Sequence, residues 1–504
     1  MAREPHTAIP EELDLIVIGG GPGGAACGIA AARLGLRVVI LERDRFPRHR
    51  LGETLTPKIL PLLSFLGILR DVEAAGFVRM SGNASLLGPE LEIRPFASDN
   101  RGLGFQVERE RFDLILLEAA ERQGCIVAEQ ASVVGLIREG EAVIGVEIRR
   151  PGRTHTERRL APFVVDASGA AGFVGRSLEL REVESLRTTA LWGYFTGSTS
   201  ANDFPDGNTV LEARPDAWIW SLPLADGRRN VTCAVDAGTV TPGALTDRYL
   251  EVVRGSRLLE PLLRTATLQG AARGVDARWF GSRHYAGPGY LLIGEAASFI
   301  DPLTSQGVWK AMNSGVLAAA VANTAIRRVD RAPLALDYFN QVERRTLRDY
   351  QIHALRLYRS TPFSDQPFWR ARGRSQIDIA ESSWLSDEQR SARIAGFVEA
   401  MRATVPARVH LRAAADLSIQ ERPCLEGGFV ELRPQIVSAD GRATRYHVDL
   451  PTLVPLLDGR DLDTIFEAYA QATALPRTPQ SGRDLFSAIG RMVEDGVAEY
   501  IVSK

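Results

Sequence analysis

Lysine is nearly missing from this 504-residue chain: of 60 basic residues only Lys58, Lys310 and Lys504 are lysines, and the rest are arginine. Chemistry that needs a lysine amine therefore has few candidates, because arginine stays protonated and is a poor nucleophile. Cysteine is scarce as well. Cys27, Cys125, Cys233 and Cys424 stand far apart with no CxxC and no metal-ligand spacing, so reduced buried thiols are expected, and neither a disulfide framework nor a metal site. No apolar run approaches the roughly twenty residues of a membrane-crossing helix, and the opening Met1-Ala-Arg-Glu-Pro-His6 has no apolar signal-peptide core. A net charge of −2 gives no reason to expect nucleic acid or an anionic membrane as partner. None of the seven histidines falls in a recognisable catalytic spacing. What remains is an ordinary globular composition, 45% hydrophobic and 24% charged, expected to form two or three domains in the cytoplasm.

What is present is concentrated at the start. Leu15 to Ile18 reads as a buried parallel strand, Gly19-x-Gly21-x-x-Gly24 as a turn, Ala25 to Leu34 as a small-residue helix, and Leu36 to Leu41 as a second strand ending on Glu42. Gly19 permits the tight turn, Gly21 lets backbone approach a pyrophosphate, and Gly24 lets helix and strand pack closely. The helix N-terminus offers free N–H groups to that pyrophosphate, and Glu42 stands where a carboxylate meets ribose hydroxyls. The stretch predicts an adenine-dinucleotide site.

Further along, Phe163 to Asp166 and Gly289 to Ile293 read as buried strands, each running into a turn. Ile126 to Arg149 reads as a β-meander, and helices are expected from about Gly307 to Ile326 and Leu334 to Tyr358. Residues 77–106 and 187–270 look mostly β, with helices near Ala244–Arg254 and Leu258–Arg264. The spacing predicts an α/β chain with a Rossmann-like FAD-binding domain (GR2-type) at 1–76, 105–182 and 275–360, interleaved with a β-rich substrate domain at 77–104 and 183–274. Ser360 to Pro367 reads as a linker into a small α+β C-terminal domain, 361–504. In that domain a helix at Asp387–Ala403, strands at Phe429–Pro434 and Thr444–Val448 around an Asp440-Gly441 turn, helices at Asp461–Ala472 and Ser481–Gly496 and a strand at Ala498–Val502 are expected. The closing helix-helix-strand order is winged-helix-like, yet the last helix carries Arg483, Arg491, Glu494 and Asp495 and no basic stripe, so an accessory or substrate-docking role is expected rather than DNA binding.

Four motifs in order resemble the flavin-dependent halogenase and geranylgeranyl-reductase branch of FAD-dependent oxidoreductases. They are Gly19-x-Gly21-x-x-Gly24 with Glu42; Pro47-Arg48 with Gly52-Glu53-x-Leu55-x-Pro57; Val107-x-Arg109-x-x-Phe112-Asp113; and Gly294-Glu295 through Asp301-Pro302-x-x-Ser305-x-Gly307-Val308. The resemblance covers about residues 13–372 and implies FAD as cofactor. It implies that Arg48 and Arg109 lie near the FAD diphosphate, that Asp166 belongs to a second nucleotide-contacting turn, and that Arg43 and Gln106 add contacts. Glu295 stands where the family usually has Asp against the ribitol. Pro302, Ser305, Gln306, Gly307 and Val308 would run past the isoalloxazine ring, offering backbone N–H groups and a helix dipole.

Ala217-Trp218-Ile-Trp220-Ser-Leu222-Pro223 resembles the WxWxIP motif of flavin-dependent halogenases, with Leu222 in the Ile place. Those enzymes use a tunnel lysine downstream of the Gly-Glu segment, and here that region reads Phe77-Val-Arg79-Met80-Ser-Gly82. The expectation is therefore an FAD-dependent monooxygenase that hydroxylates an electron-rich aromatic substrate near Arg79, Met80, Trp218 and Trp220. Lysine-lacking relatives of this kind include flavoproteins that hydroxylate a protein-bound tryptophan in tryptophylquinone biogenesis, so a peptide- or carrier-bound substrate suits the C-terminal extension. Three alternatives stay open: a halogenase of an aromatic substrate, a flavin-dependent lipid double-bond reductase, and a flavin-bearing assembly protein. With no second complete GxGxxG, either NAD(P)H or a separate flavin reductase could supply electrons.

Overall fold

A computed structural model describes residues 8–96, 102–200, 203–241, 243–374, 393, 395–401, 408–415, 417–437, 443–475 and 478–503. The chain divides into two compact units, residues 1–377 with 427–429, and residues 378–426 with 430–504.

The first unit is built on a six-stranded sheet ordered Ala286–Gly287, Tyr290–Leu292, Phe163–Asp166, Leu15–Ile18, Val38–Leu41 and Ile126–Ala128. All neighbours are parallel except the first pair. The strands are four residues or shorter and nearly all apolar, as strands covered on both faces must be. On one face the helix Pro22–Arg33 packs along Gly307–Arg327. That pairing needs small residues: a Cβ on Gly315 would meet the Gly23 carbonyl oxygen at 2.3 Å. A three-stranded meander, Ser132–Glu139, Ala142–Arg149 and Glu157–Leu160, and the 29-residue helix Ala332–Ser360 complete this part.

The second sheet of this unit has eight strands and draws on two stretches of sequence. Gly82–Leu86 and Glu92–Pro95 join Thr188–Thr196, Thr209–Arg214, Ala217–Pro223, Arg229–Asp236, Thr267–Leu268 and Arg273–Asp276. Period-2 alternation sorts its faces. Leu191, Phe195, Val210, Ile219, Val231, Cys233 and Val235 form a core with Tyr249, Val252 and Val253 of the helix Leu245–Arg254. Their neighbours in sequence, Trp192, Tyr194, Trp218, Trp220 and Leu222, point the other way. The stretch read as a linker is partly helical: Pro367–Gly373 belongs to the first unit, where Trp369 packs against Tyr358 with ring centroids 5.6 Å apart.

In the second unit, Val409–Ala413 lies between Asp458–Asp461 and Ala498–Val502, both antiparallel to it. Helices Leu462–Thr473 and Pro479–Glu494 supply Leu462, Ile465, Ile489 and Met492 to its own core. The strand expected at Thr444–Val448 is only the pair Ala443–Thr444. The Asp440-Gly441 turn and most of the Asp387–Ala403 helix lie outside the described residues, although 395–401 is helical. Among the described residues no helix is long and apolar enough to cross a membrane.

Candidate active site

The glycine turn has the geometry that its residue types demand. Gly19 has φ +105°, where a side chain is strained, and a Cβ there would meet the Ala167 carbonyl oxygen at 2.5 Å. A Cβ on Gly24 would stand 2.0 Å from the Gly19 carbonyl oxygen. Gly21 is the N-cap of the helix Pro22–Arg33 and makes no side-chain cap, which leaves first-turn N–H groups for a ligand. Glu42 is buried at the end of its strand, and its Oε2 accepts from the Gly20 N–H at 2.9 Å and from Arg48 Nη2 at 3.3 Å.

Beside this turn sits a buried cluster of charge. The Asp113 carboxylate is fully buried and accepts from both Nε and Nη2 of Arg109, at 2.7 and 3.0 Å, and from Arg48 Nη1 at 3.2 Å. Two guanidinium groups therefore share one carboxylate, with Glu42 on the far side of Arg48. Counting Glu42, two guanidinium groups meet two carboxylates and the cluster is balanced in charge, but among the described residues Arg48 Nε is buried without a partner next to free helix N–H groups. An anion such as a diphosphate has the acceptors that these donors lack.

Along the same side, Gly294 (φ +57°) opens the short helix Gly294–Ala297, and Glu295 is exposed. Pro302–Thr304 forms a 3-10 turn, Ser305 sits at φ +52°, and the long helix starts at Gly307. Among the described residues a Cβ on Gly307 would touch nothing within 4 Å, and Gln306 Oε1 is buried without a partner while its Nε2 donates to Thr56. The head of this helix is thus bare on the side expected to face a flavin.

Several expected contacts do other work. Gln106 is fully buried, accepting from Thr54 and donating to Thr209 at 2.8 Å, so it ties the motif strand to the substrate sheet. Asp166 accepts from the Ser168 N–H, the Ser168 hydroxyl and the N–H groups of Val174 and Gly175, and so fastens its own turn. Asp301 accepts from the Leu303 N–H at 3.0 Å, Trp279 Nε1 at 3.0 Å and the Tyr358 hydroxyl at 2.6 Å. Burial pushes both carboxyl groups above the ordinary value despite these bonds. Arg43 is exposed beside Asp44. Arg79 is exposed as well, its guanidinium 4.2 Å over the Phe105 ring, so it does not line the pocket; Met80, next to it, is fully buried. Lys310 is a strut: its ammonium donates to the carbonyls of Gly294 and Ser298 at 2.8 and 2.9 Å, and burial lowers its pKa.

The aromatic face of the β-rich sheet completes the site. Trp218 and Trp220 stack with centroids 5.7 Å apart, and Trp218 clusters with Leu303 of the Pro302–Thr304 turn and Tyr358 of the helix Ala332–Ser360. Trp220 reaches a second cluster of Trp192, Tyr194, Leu222 and Leu51. On this face Trp220 Nε1 is a buried donor without a partner among the described residues. Beyond Trp218 the hydrogen bonds run from Trp218 Nε1 to Tyr358 and on to Asp301, which borders a cavity of about 380 Å³ also lined by Trp279, Thr188 and Arg372. Tyr358, Trp192, Tyr194 and Trp279 were not singled out by sequence. Period-2 alternation pairs Trp192 and Tyr194 on one face and is their only signal; Tyr358 and Trp279 had none.

Known proteins agree with this geometry. Residues 12–327 match the family model described as FAD binding domain. A tryptophan 2-halogenase of Chondromyces crocatus is 30% identical over 380 residues, covering 72% of this chain and 71% of the relative. A 1H-pyrrole-2-carbonyl-[peptidyl-carrier protein] chlorinase of Pseudomonas fluorescens is 26% identical, covering 71% and 87%. Among solved structures, the flavin-dependent halogenase CmlS superposes with a TM-score of 0.77 at 24% identity over 99% of this chain and 97% of that one. The peptidyl tryptophan dihydroxylase QhpG gives 0.66 at 22%, over 96% and 99%, a likeness of fold. With a dinucleotide turn, two buried arginines beside it and an aromatic face near the turn before the long helix, the chain is a member of the FAD-binding family that includes the flavin-dependent halogenases, an FAD-dependent oxidoreductase.

Proposed function

We propose that the chain substitutes an electron-rich aromatic ring using reduced FAD and O₂, and that halogenation is the reaction. The observation that carries this is the aromatic face on which Trp218 and Trp220 pack in one cluster with Leu303 and Trp220 continues to Trp192. The halogenase names of the similar proteins support the reaction type. Arg48 and Arg109, fixed by Asp113, would hold the diphosphate, and Glu42 the ribose. A carboxylate has about four lone-pair sites, so Glu42 can accept from ribose hydroxyls beside its present bonds. Bound there, reduced FAD with O₂ supplies the oxidising equivalent that turns halide into an electrophile. Trp218 and Trp192 exclude water, and the half-buried Trp220 stacks the substrate ring while its Nε1 orients a polar substituent. Either NAD(P)H or a partner flavin reductase delivers the electrons, and the ring is free or carrier-bound.

The reading earlier favoured on sequence, hydroxylation, keeps one observation in its support. Lys310 is spent on two carbonyls, and the Lys58 ammonium lies 3.6 Å from the Trp309 ring centroid. Neither stands on the aromatic face. Incubation with reduced FAD, O₂ and a panel of indoles, phenols and pyrroles, with and without chloride or bromide, separates the two. Halogenated product is expected; an oxygenated product formed equally well without halide would replace halogenation by hydroxylation.

A further inference from the structure

The cavity at the end of the Trp218–Tyr358–Asp301 hydrogen bonds has no part in the reading above. Its volume of about 380 Å³ falls in the range of small-molecule sites. Trp279 and Tyr358 give it an aromatic lining, their ring centroids 6.5 Å apart. Tyr358 also belongs to the Trp218 cluster, so the cavity adjoins the aromatic face. The short helix Pro367–Gly373, packed on the helix Ala332–Ser360, adds Ala371 and Arg372 to the lining.

Arg372 is a guanidinium only 5% exposed. Of its five N–H groups, those on Nε and Nη2 donate to Thr188 Oγ1 at 3.2 and 2.8 Å, and one on Nη1 donates to the Phe368 carbonyl at 3.0 Å. One N–H on each Nη is left over among the described residues. Asp236 Oδ2 stands 3.9 Å from Nη1, beyond hydrogen-bond reach. Burial lowers the Arg372 pKa, opposed by Tyr358, Asp236 and Asp301. A buried cation with two donors to spare fits a carboxylate, which brings one negative charge and two oxygens side by side. The acids of the lining do not fill that role. Asp301 already accepts from three donors, and the exposed Glu184 accepts from Gln351 Nε2 at 3.3 Å. Their presence disfavours a doubly charged phosphate in the same space.

We propose that this cavity is a carboxylate subsite, in which Arg372 takes the acid group of an aromatic acid whose ring lies along Trp279 and Tyr358. The proposal rests on the ring substitution proposed above and narrows its substrates to electron-rich aromatic acids. Arg372 selects the substrate and makes or breaks no bond. An amide of the same ring keeps the size and shape of the acid but offers one acceptor in place of two and no charge, so it binds less tightly.

The test compares matched pairs, indole-3-acetate with indole-3-acetamide and 4-hydroxybenzoate with 4-hydroxybenzamide, by calorimetry on the full FAD-loaded chain. In at least one pair the acid should bind about tenfold more tightly than its amide, the ratio expected of a hydrogen bond to a charged group. Arg372→Gln should erase that preference, and Arg372→Lys, which keeps the charge and loses the fork, should retain part of it. Arg372 also ties its helix to Thr188, so a second variant guards against poor folding. Ala371→Leu fills the cavity, leaves the guanidinium in place, and should weaken acid and amide alike. Under turnover the preferred acid should show a KM about tenfold below that of its amide. No preference for the acid in either pair, a preference that survives Arg372→Gln, or unchanged affinity in Ala371→Leu would overturn the subsite. If an acid bound through Arg372 is never substituted, the proposed function fails, while the binding measurements still establish the carboxylate site.

Discussion

Asp113 does the most at the scale of single residues. One buried carboxylate holds both cofactor-side arginines, so Asp113→Asn would leave two guanidinium groups facing each other with half their acceptor gone. Breaking a buried ion pair typically costs about 3–5 kcal/mol. Asp113→Asn should lose about 3 kcal/mol in denaturant unfolding and bind FAD at least tenfold more weakly by fluorescence titration. Glu53 gives a pH dependence. Its folded pKa is raised to about 7, so the neutral acid stabilises the fold at low pH and that stability is lost as pH rises through about 7. Comparing unfolding at pH 5 and pH 8, Glu53→Gln should reduce the fall by on the order of 3 kcal/mol. The spacing of Arg48 and Arg109 marks them as motif residues, and the fold brings both onto Asp113. The work of Gln106, Asp166 and Asp301 was not, since a buried polar group takes whichever partners the fold brings and those lie far off in sequence.

Among the elements, the glycine turn and the helix head make opposite use of glycine. Gly24 has no room for a Cβ, so Gly24→Ala should destabilise the protein with or without FAD. Gly307 has room, and alanine favours helix by up to about 1 kcal/mol. Gly307→Ala should leave the melting temperature without FAD unchanged or higher while weakening FAD binding, since its methyl enters the space expected for the ring. Equal FAD affinity in Gly307→Ala would move the flavin away from this helix head. Long, uniformly apolar or small-residue segments such as Leu15–Ile18 and Gly307–Arg327 were readable because period and composition agree. Thr209–Arg214 was passed over; it is a strand by pairing with Gly82–Leu86 and Ala217–Pro223, both supplied by tertiary structure. Pro367–Gly373 sits behind a run of Ser, Pro and Asp that reads as linker, although Pro367 is a suitable first helical residue.

At the scale of the whole molecule, interleaving is the feature that matters. The cofactor sheet is assembled from strands between residues 15 and 292, and the aromatic sheet is inserted between them, so its Trp-rich face meets the Pro302–Val308 segment within one unit. The motifs made the cofactor readable, whereas the reaction depends on which groups reach the aromatic face. Three scattered lysines point towards hydroxylation, and the halogenase names of the relatives support the proposed halogenation. The most direct measurement is mass spectrometry of an electron-rich aromatic panel after reaction with FAD, a flavin reductase, NADH, O₂ and bromide. A brominated ring that depends on FAD, O₂ and bromide together is expected. Reduced flavin that persists in air with every aromatic unchanged, but is consumed on adding an isoprenoid double bond, would contradict aromatic substitution and make the chain a reductase.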